Sequence, residues 1–122
     1  MFPIFVLVLA AIIDFGLGMY SYMTVINAVR EGGRLAVTNC TGAACLGAVQ
    51  SRTYASSVGL LSGATSTVTV ACATSAGVSE ACTASAAGDQ VTVTAQYTYR
   101  MIWPLTFGTQ IPMTSSVTFM ME

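Results

Sequence analysis

The sequence predicts an α+β chain: a long N-terminal apolar helix followed by a small domain with a second helix packed on a three- to four-stranded antiparallel sheet. Three observations carry this reading. Residues 2–29 contain one charged side chain, Asp14. Residues 44–61 place apolar side chains at helical spacing. From Thr65 onward the repeat shortens to two, as in STVTVACA, QVTVTAQYTYR and MTSSVTFMME. The boundary falls at residue 37, giving a helical segment over 1–37 and a folded domain over 38–122.

The first helix is bounded by its length and its one acid. No polar side chain occurs from Phe2 to Ile13, and at 1.5 Å per residue the stretch 2–29 reaches roughly 40 Å, enough to cross a hydrocarbon layer of about 30 Å. Asp14 lies near the middle, where an ionised carboxylate costs on the order of 3 kcal/mol and marks a contact with protein. Gly16 and Gly18 let a neighbouring helix come close. A secretory signal peptide needs a basic start, but the chain opens Met-Phe-Pro and its first basic residue is Arg30. Glu31 and Arg34, three apart, are expected to pair on the last turns. Gly32-Gly33 is expected to loosen, bend or end the helix, whose terminus is placed between Leu35 and Thr38.

The 85 residues from 38 to 122 suffice for one small domain. Charged residues make up 7% of the chain, there is no Lys or His, and the net charge is −1; soluble proteins carry about 25% charge. A neutral surface rich in Ala, Ser, Thr, Gly and Val follows, much of it suited to burial against copies of itself. No long-range field exists to gather nucleic acid or anionic lipid. Four cysteines, Cys40, Cys45, Cys72 and Cys82, all follow the first helix and read as two disulfides in an extracytoplasmic domain. Three pairings exist, of which short loops favour Cys40–Cys45 and Cys72–Cys82. A four-thiolate zinc site is disfavoured because no Cys-x-x-Cys occurs. The basic cluster after the helix would by itself put the domain in the cytoplasm; a basic leader removed from a precursor reconciles that with the cysteines.

The second helix is expected over 44–61, with Leu46, Val49, Tyr54, Val58 and Leu61 on its apolar face, lying across the sheet and ended by Ser62-Gly63. Strands are expected near 66–73, 90–100 and 113–121, with a shorter one over 78–83. TSAGVSE and ASAAGD are turns, and WPLTFGTQIP is a connection whose Pro104 and Pro112 exclude a central strand. Tyr97, Tyr99, Trp103 and Phe107 are expected to pack the sheet against the second helix. Catalysis has no support: without His or Lys, the serines lack a base and the acids Asp14, Glu31, Glu80, Asp89 and Glu122 are scattered. No catalytic residue, cofactor or metal is assigned.

Pro3, the apolar run, IIDFG at 12–16, the stretch YSYMTVINA and VREGGRLAV at 29–37 resemble the TadE-like pilin family of tight-adherence (Tad) pilus systems, itself similar to type IV pilins. That family's pattern is an apolar helix with Pro near its start, an acid-Phe-Gly triplet and an Ala-Arg-Glu-Gly-Ala-Arg segment. A kinase reading of DFG fails because the triplet lies inside an apolar helix. Two departures stand out: Gly33 replaces the usual Ala, and the Glu that the family carries near its mature N-terminus is missing, with Phe5 at the fifth position and no acid before Asp14.

The resemblance implies a structural subunit of an extracellular type IV-like filament at the cell surface. It would be held in the inner membrane as a precursor and polymerise through the first helix into a helical homopolymer, with roles such as surface attachment. A prepilin peptidase and the pilus assembly machinery are the implied partners; nucleic acid is not. The alternative is a membrane-anchored minor pseudopilin that primes or caps the filament. A phage coat protein would fit the helix but not the 85 residues after it. The expected assembly interface is Met1, Phe2, Phe5, Asp14, Phe15, Gly16, Arg30, Glu31 and Arg34, with Asp14 either paired to the amino terminus of a neighbouring subunit or neutral and hydrogen-bonded within the bundle.

Overall fold

A computed structural model describes residues 1–39, 44–57, 66–82, 86–102 and 110–122. Helix α1 (Phe2–Asn39) is followed by α2 (Ala44–Ser56) and strands β1 (Ser66–Ala73), β2 (Ser79–Glu80), β3 (Gln90–Arg100) and β4 (Gln110–Met120). The strands form one antiparallel sheet in the order β2-β1-β3-β4. The bounds expected for β1 and β3 are met. β2 is shorter than expected, and β4 begins earlier, at Gln110, so Pro112 lies within it. Because β4 is an edge strand, the missing Pro112 N–H is tolerated there.

Alternation of side chains divides the sheet into two faces. Val68, Cys72, Val91, Val93, Ala95 and Tyr99 are buried on one face, with Val117 packed against the core they share with α1. Thr67, Thr69, Thr114, Ser116 and Thr118 are exposed on the other, where Thr92 Oγ1 and Thr118 Oγ1 lie 2.9 Å apart. The hydroxyl-covered surface expected from composition is therefore the outer face of this sheet. Gly77 and Gly88 take positive φ, 82° and 96°, in the turns after β1 and before β3, which favours residues without Cβ.

The inner face is covered by α1, and α2 packs mainly beside α1, reaching the sheet at β1 where Gln50 Nε2 donates to Val68 O at 3.2 Å. Val49 is buried and Leu46 half-buried as expected, but Tyr54 is exposed; Val58, Leu61 and Ser62-Gly63 lie outside the described residues. Tyr99 packs against Gly18 of α1, Tyr97 is half-buried against the core, and Trp103 and Phe107 lie outside the described residues. Cys72 is bonded to Cys82 as expected. Cys45 is also disulfide-bonded, while its expected partner Cys40 lies outside the described residues.

The helix runs through Gly32 and Gly33 to Asn39, one residue beyond the terminus expected between Leu35 and Thr38, and both glycines are buried. A Cβ on Gly32 would collide with Thr53 Oγ1 and lie 3.5 Å from Val49 O of α2; one on Gly33 would overlap the Phe119 ring of β4. The pair exists because α2 and β4 approach the α1 backbone from two sides. Gly16, by contrast, has nothing within 4 Å of such a Cβ. Gly32→Ala is expected to lower stability by about 1–3 kcal/mol through overpacking, despite the roughly 1 kcal/mol that Ala adds to helix propensity. Gly16→Ala should retain that gain. Thermal unfolding in detergent checks both, and Thr53→Ala should restore part of the Gly32→Ala loss.

Candidate assembly and membrane interface

α1 is two-sided along its length. Ala10, Asp14, Ser21, Val25, Ala28, Gly32 and Ala36 face inward and are buried, with Gly18 half-buried on the same stripe. Steps of three and four residues keep these small side chains on one face. Val29 and Gly33 are buried as well, whereas residues 1–23 apart from Ala10, Asp14, Gly18 and Ser21 are uncovered. Among the described residues, every exposed large apolar side chain lies within residues 1–23 except Tyr54, Val78, Ile102 and Met120. Met1, Phe2, Phe5 and Phe15 belong to this surface, Phe15 being 72% exposed, and Gly16 is exposed beside them. Ser21 Oγ donates to Leu17 O at 2.9 Å and Thr24 Oγ1 to Tyr20 O at 2.8 Å, so these hydroxyls are satisfied within the helix, as apolar surroundings require.

Asp14 departs from that surface. It is 7% exposed and turned toward its own chain, where Ile102 N–H donates to Oδ1 at 3.2 Å. Four residues along, Gly18 receives the Tyr99 ring, 3.8 Å from where a Cβ would sit. The Tyr99 hydroxyl is buried without a hydrogen-bond partner among the described residues. The Ile102–Asp14 hydrogen bond and the contact of the Tyr99 ring with Gly18 thus dock the C-terminal end of β3 on the middle of α1. Sequence reasoning placed Asp14 and Gly18 in contacts but could not find Ile102, which lies 88 residues away.

The expected pairing of Glu31 with Arg34 is corrected. Glu31 Oε1 accepts from Arg52 Nη2 at 2.8 Å and Nε at 3.3 Å, tying α1 to α2. The Arg52 hydrogen bond, opposed by desolvation, lowers the Glu31 pKa, with Arg34 adding a weaker field. Arg30 and Arg34 are exposed. Arg34 lines an open groove of about 640 Å³ between the helices, together with Glu31, Thr38, Ser51 and Arg52. Arg52 was missed because its partner sits on another helix, beyond the reach of a local charge pattern.

Two neighbouring acids, Glu80 and Asp89, lie at the opposite end of the sheet. Asp89 accepts from Ala86 N–H at 2.6 Å and Ser75 N–H at 3.3 Å. Those bonds keep its carboxyl below the ordinary range, the Ala86 bond most strongly. Desolvation, then the neighbouring Asp89, raise the Glu80 carboxyl, and its Oε1 is buried without a partner among the described residues.

A helix long and apolar enough to cross a membrane, joined to a small disulfide-bonded α+β domain, defines the class of chain. Residues 1–34 match the model of the TadE-like protein family, in agreement with the resemblance read from the sequence. That family suggests a structural, pilus-associated protein of the tight-adherence systems. The match ends at Arg34, within α1, and no curated protein or solved structure matches the chain.

The signs of the two carboxyl shifts fix a pH dependence. Glu80, raised, contributes stability that is present below its ordinary 4.5 and lost as pH rises through its folded value. Asp89, lowered, contributes stability that is present above its ordinary 3.8 and lost as pH falls through its folded value. Glu80→Gln keeps a donor for Asp89 without a second charge. Its melting temperature should exceed the parent's at pH 7 and converge on it near pH 4, as followed by circular dichroism.

Proposed function

We propose that this chain is a pilin, a structural subunit of an extracellular tight-adherence filament, which polymerises through α1 and starts as a membrane-anchored precursor. The observation that carries the reading is the concentration of exposed apolar side chains on residues 1–23. At about 25 cal/mol per Å² of apolar surface, so large an uncovered area demands a partner. Lipid supplies one before assembly, and the α1 helices of other copies supply it in a filament core. The domain, with its hydroxyl-bearing sheet face, forms the outer layer. Arg30 and Arg34 stand at the border of core and outer layer, available to neighbouring subunits, while Glu31 holds α2 in place. Asp14 takes part in assembly by fixing where the domain sits on α1, which sets the offset between core and outer layer.

Electron microscopy of filaments sheared from cells, with mass spectrometry of the principal band, tests the reading. This chain is expected as the dominant band; recovery only in trace amounts, or only in the membrane fraction, would assign it to a minor pseudopilin. Asp14→Leu is expected to abolish filaments or change their helical register. Filaments of parental symmetry from that variant would remove Asp14 from assembly.

A further inference from the structure

We propose that the apolar unit entering the lipid bilayer before assembly is α1 together with the C-terminal end of β3, and that this end seals Asp14 from lipid. The inference rests on the membrane-anchored reading above and concerns what accompanies the helix.

It follows from where the domain is docked. The Ile102–Asp14 hydrogen bond fixes the level of the β3 end on the helix. Beyond Asp14 the exposed apolar side chains continue through Phe15, Leu17 and Met19 to Met23, and no charge occurs before Arg30, so the lipid-facing surface of α1 runs past Asp14. Tyr20 and Tyr22 then lie at the membrane surface, where Tyr is favoured. On this placement Ile102 lies about 9 Å inside the hydrocarbon boundary, six helical residues below Tyr20.

The chemistry of the β3 end suits that depth. Ile102 is 61% exposed, and its N–H, which lipid could not satisfy, is taken by Asp14. No charged residue occurs between Arg100 and Glu122. Arg100, two residues and roughly 7 Å further up the strand, is exposed and reaches the headgroups by extending its side chain. The hydrophobic surface of the helix thus continues onto Ile102. The one acid in the span is compatible with it because its own domain covers the carboxylate to 7% exposure.

The only tryptophan, Trp103, is the next residue in sequence after Ile102 and supplies the fluorescence signal. The full chain is reconstituted in phosphatidylcholine–phosphatidylglycerol vesicles, with acyl chains brominated or not, and Trp103 emission is read with and without aqueous iodide. Bromolipid should remove most of the emission and iodide little. Ile102→Lys, at an exposed position, should reverse both effects while the protein stays with vesicles after an alkaline wash. Emission open to iodide and untouched by bromolipid in the anchored parent protein overturns the proposal, as does parental bromolipid quenching in Ile102→Lys. Shielding from both quenchers also overturns it and points to a second copy over the β3 end. Release of the parent chain by the alkaline wash would instead bring down the anchored reading on which the proposal rests.

Discussion

Close approach to the α1 backbone at its small residues is the constraint on which the rest of the structure depends. Ala10, Gly18, Ser21, Ala28, Gly32 and Ala36 leave room for that approach. α2 enters at Gly32, β4 at Gly33 and β3 at Gly18. Small residues let surfaces meet near the backbone, so a sheet of few strands and a helix of 13 residues gain a core without many large side chains. The largest fully buried side chains are valines, with Thr53 and Ser57. Close packing compensates for size, because a tight interior collects many weak contacts that a void would forfeit.

The same asymmetry separates what stabilises the fold from what drives association. Residues that hold the domain on α1 are small or polar and face inward; residues that demand a partner are large, apolar and face outward. Asp14 lies between these roles, in the membrane-length part of the helix but aimed at the domain. A carboxylate there would be costly against lipid. Against Ile102 N–H it becomes a fixed attachment point, since a hydrogen bond to a charged group is stronger than a neutral one.

The parts legible in the sequence were those written in local periodicity. β1 and β3 alternate apolar and hydroxyl side chains over their full lengths, and their bounds could be read directly. Cys72 and Cys82 lie ten residues apart across a turn, so a short loop suggested their pairing. What could not be read depended on distant partners. The Gly32-Gly33 pair has the composition of a helix end, and only Thr53 and Phe119 reveal it as a packing site. Glu31 had a plausible partner three residues away in Arg34, yet Arg52 on α2 offers two donors to one carboxylate oxygen. Pro112 obscured the start of β4 because the edge position of that strand is a property of the sheet.

These misreadings share a physical origin in α1 itself. A helix wholly apolar over its first turns looks like one to be surrounded evenly, and the run of residues 2–13 gives no sign of which face its own domain will cover. That choice is made by the small residues, whose spacing of three and four is visible only once their burial is known. The exposed face follows as the complement: where the domain lies close, large side chains are excluded, and they collect on the side left open. The intramolecular packing of this chain therefore determines the shape of its intermolecular surface. A change at Gly18, Gly32 or Gly33, none of which lies on the open face, would still alter association by shifting the domain relative to that face.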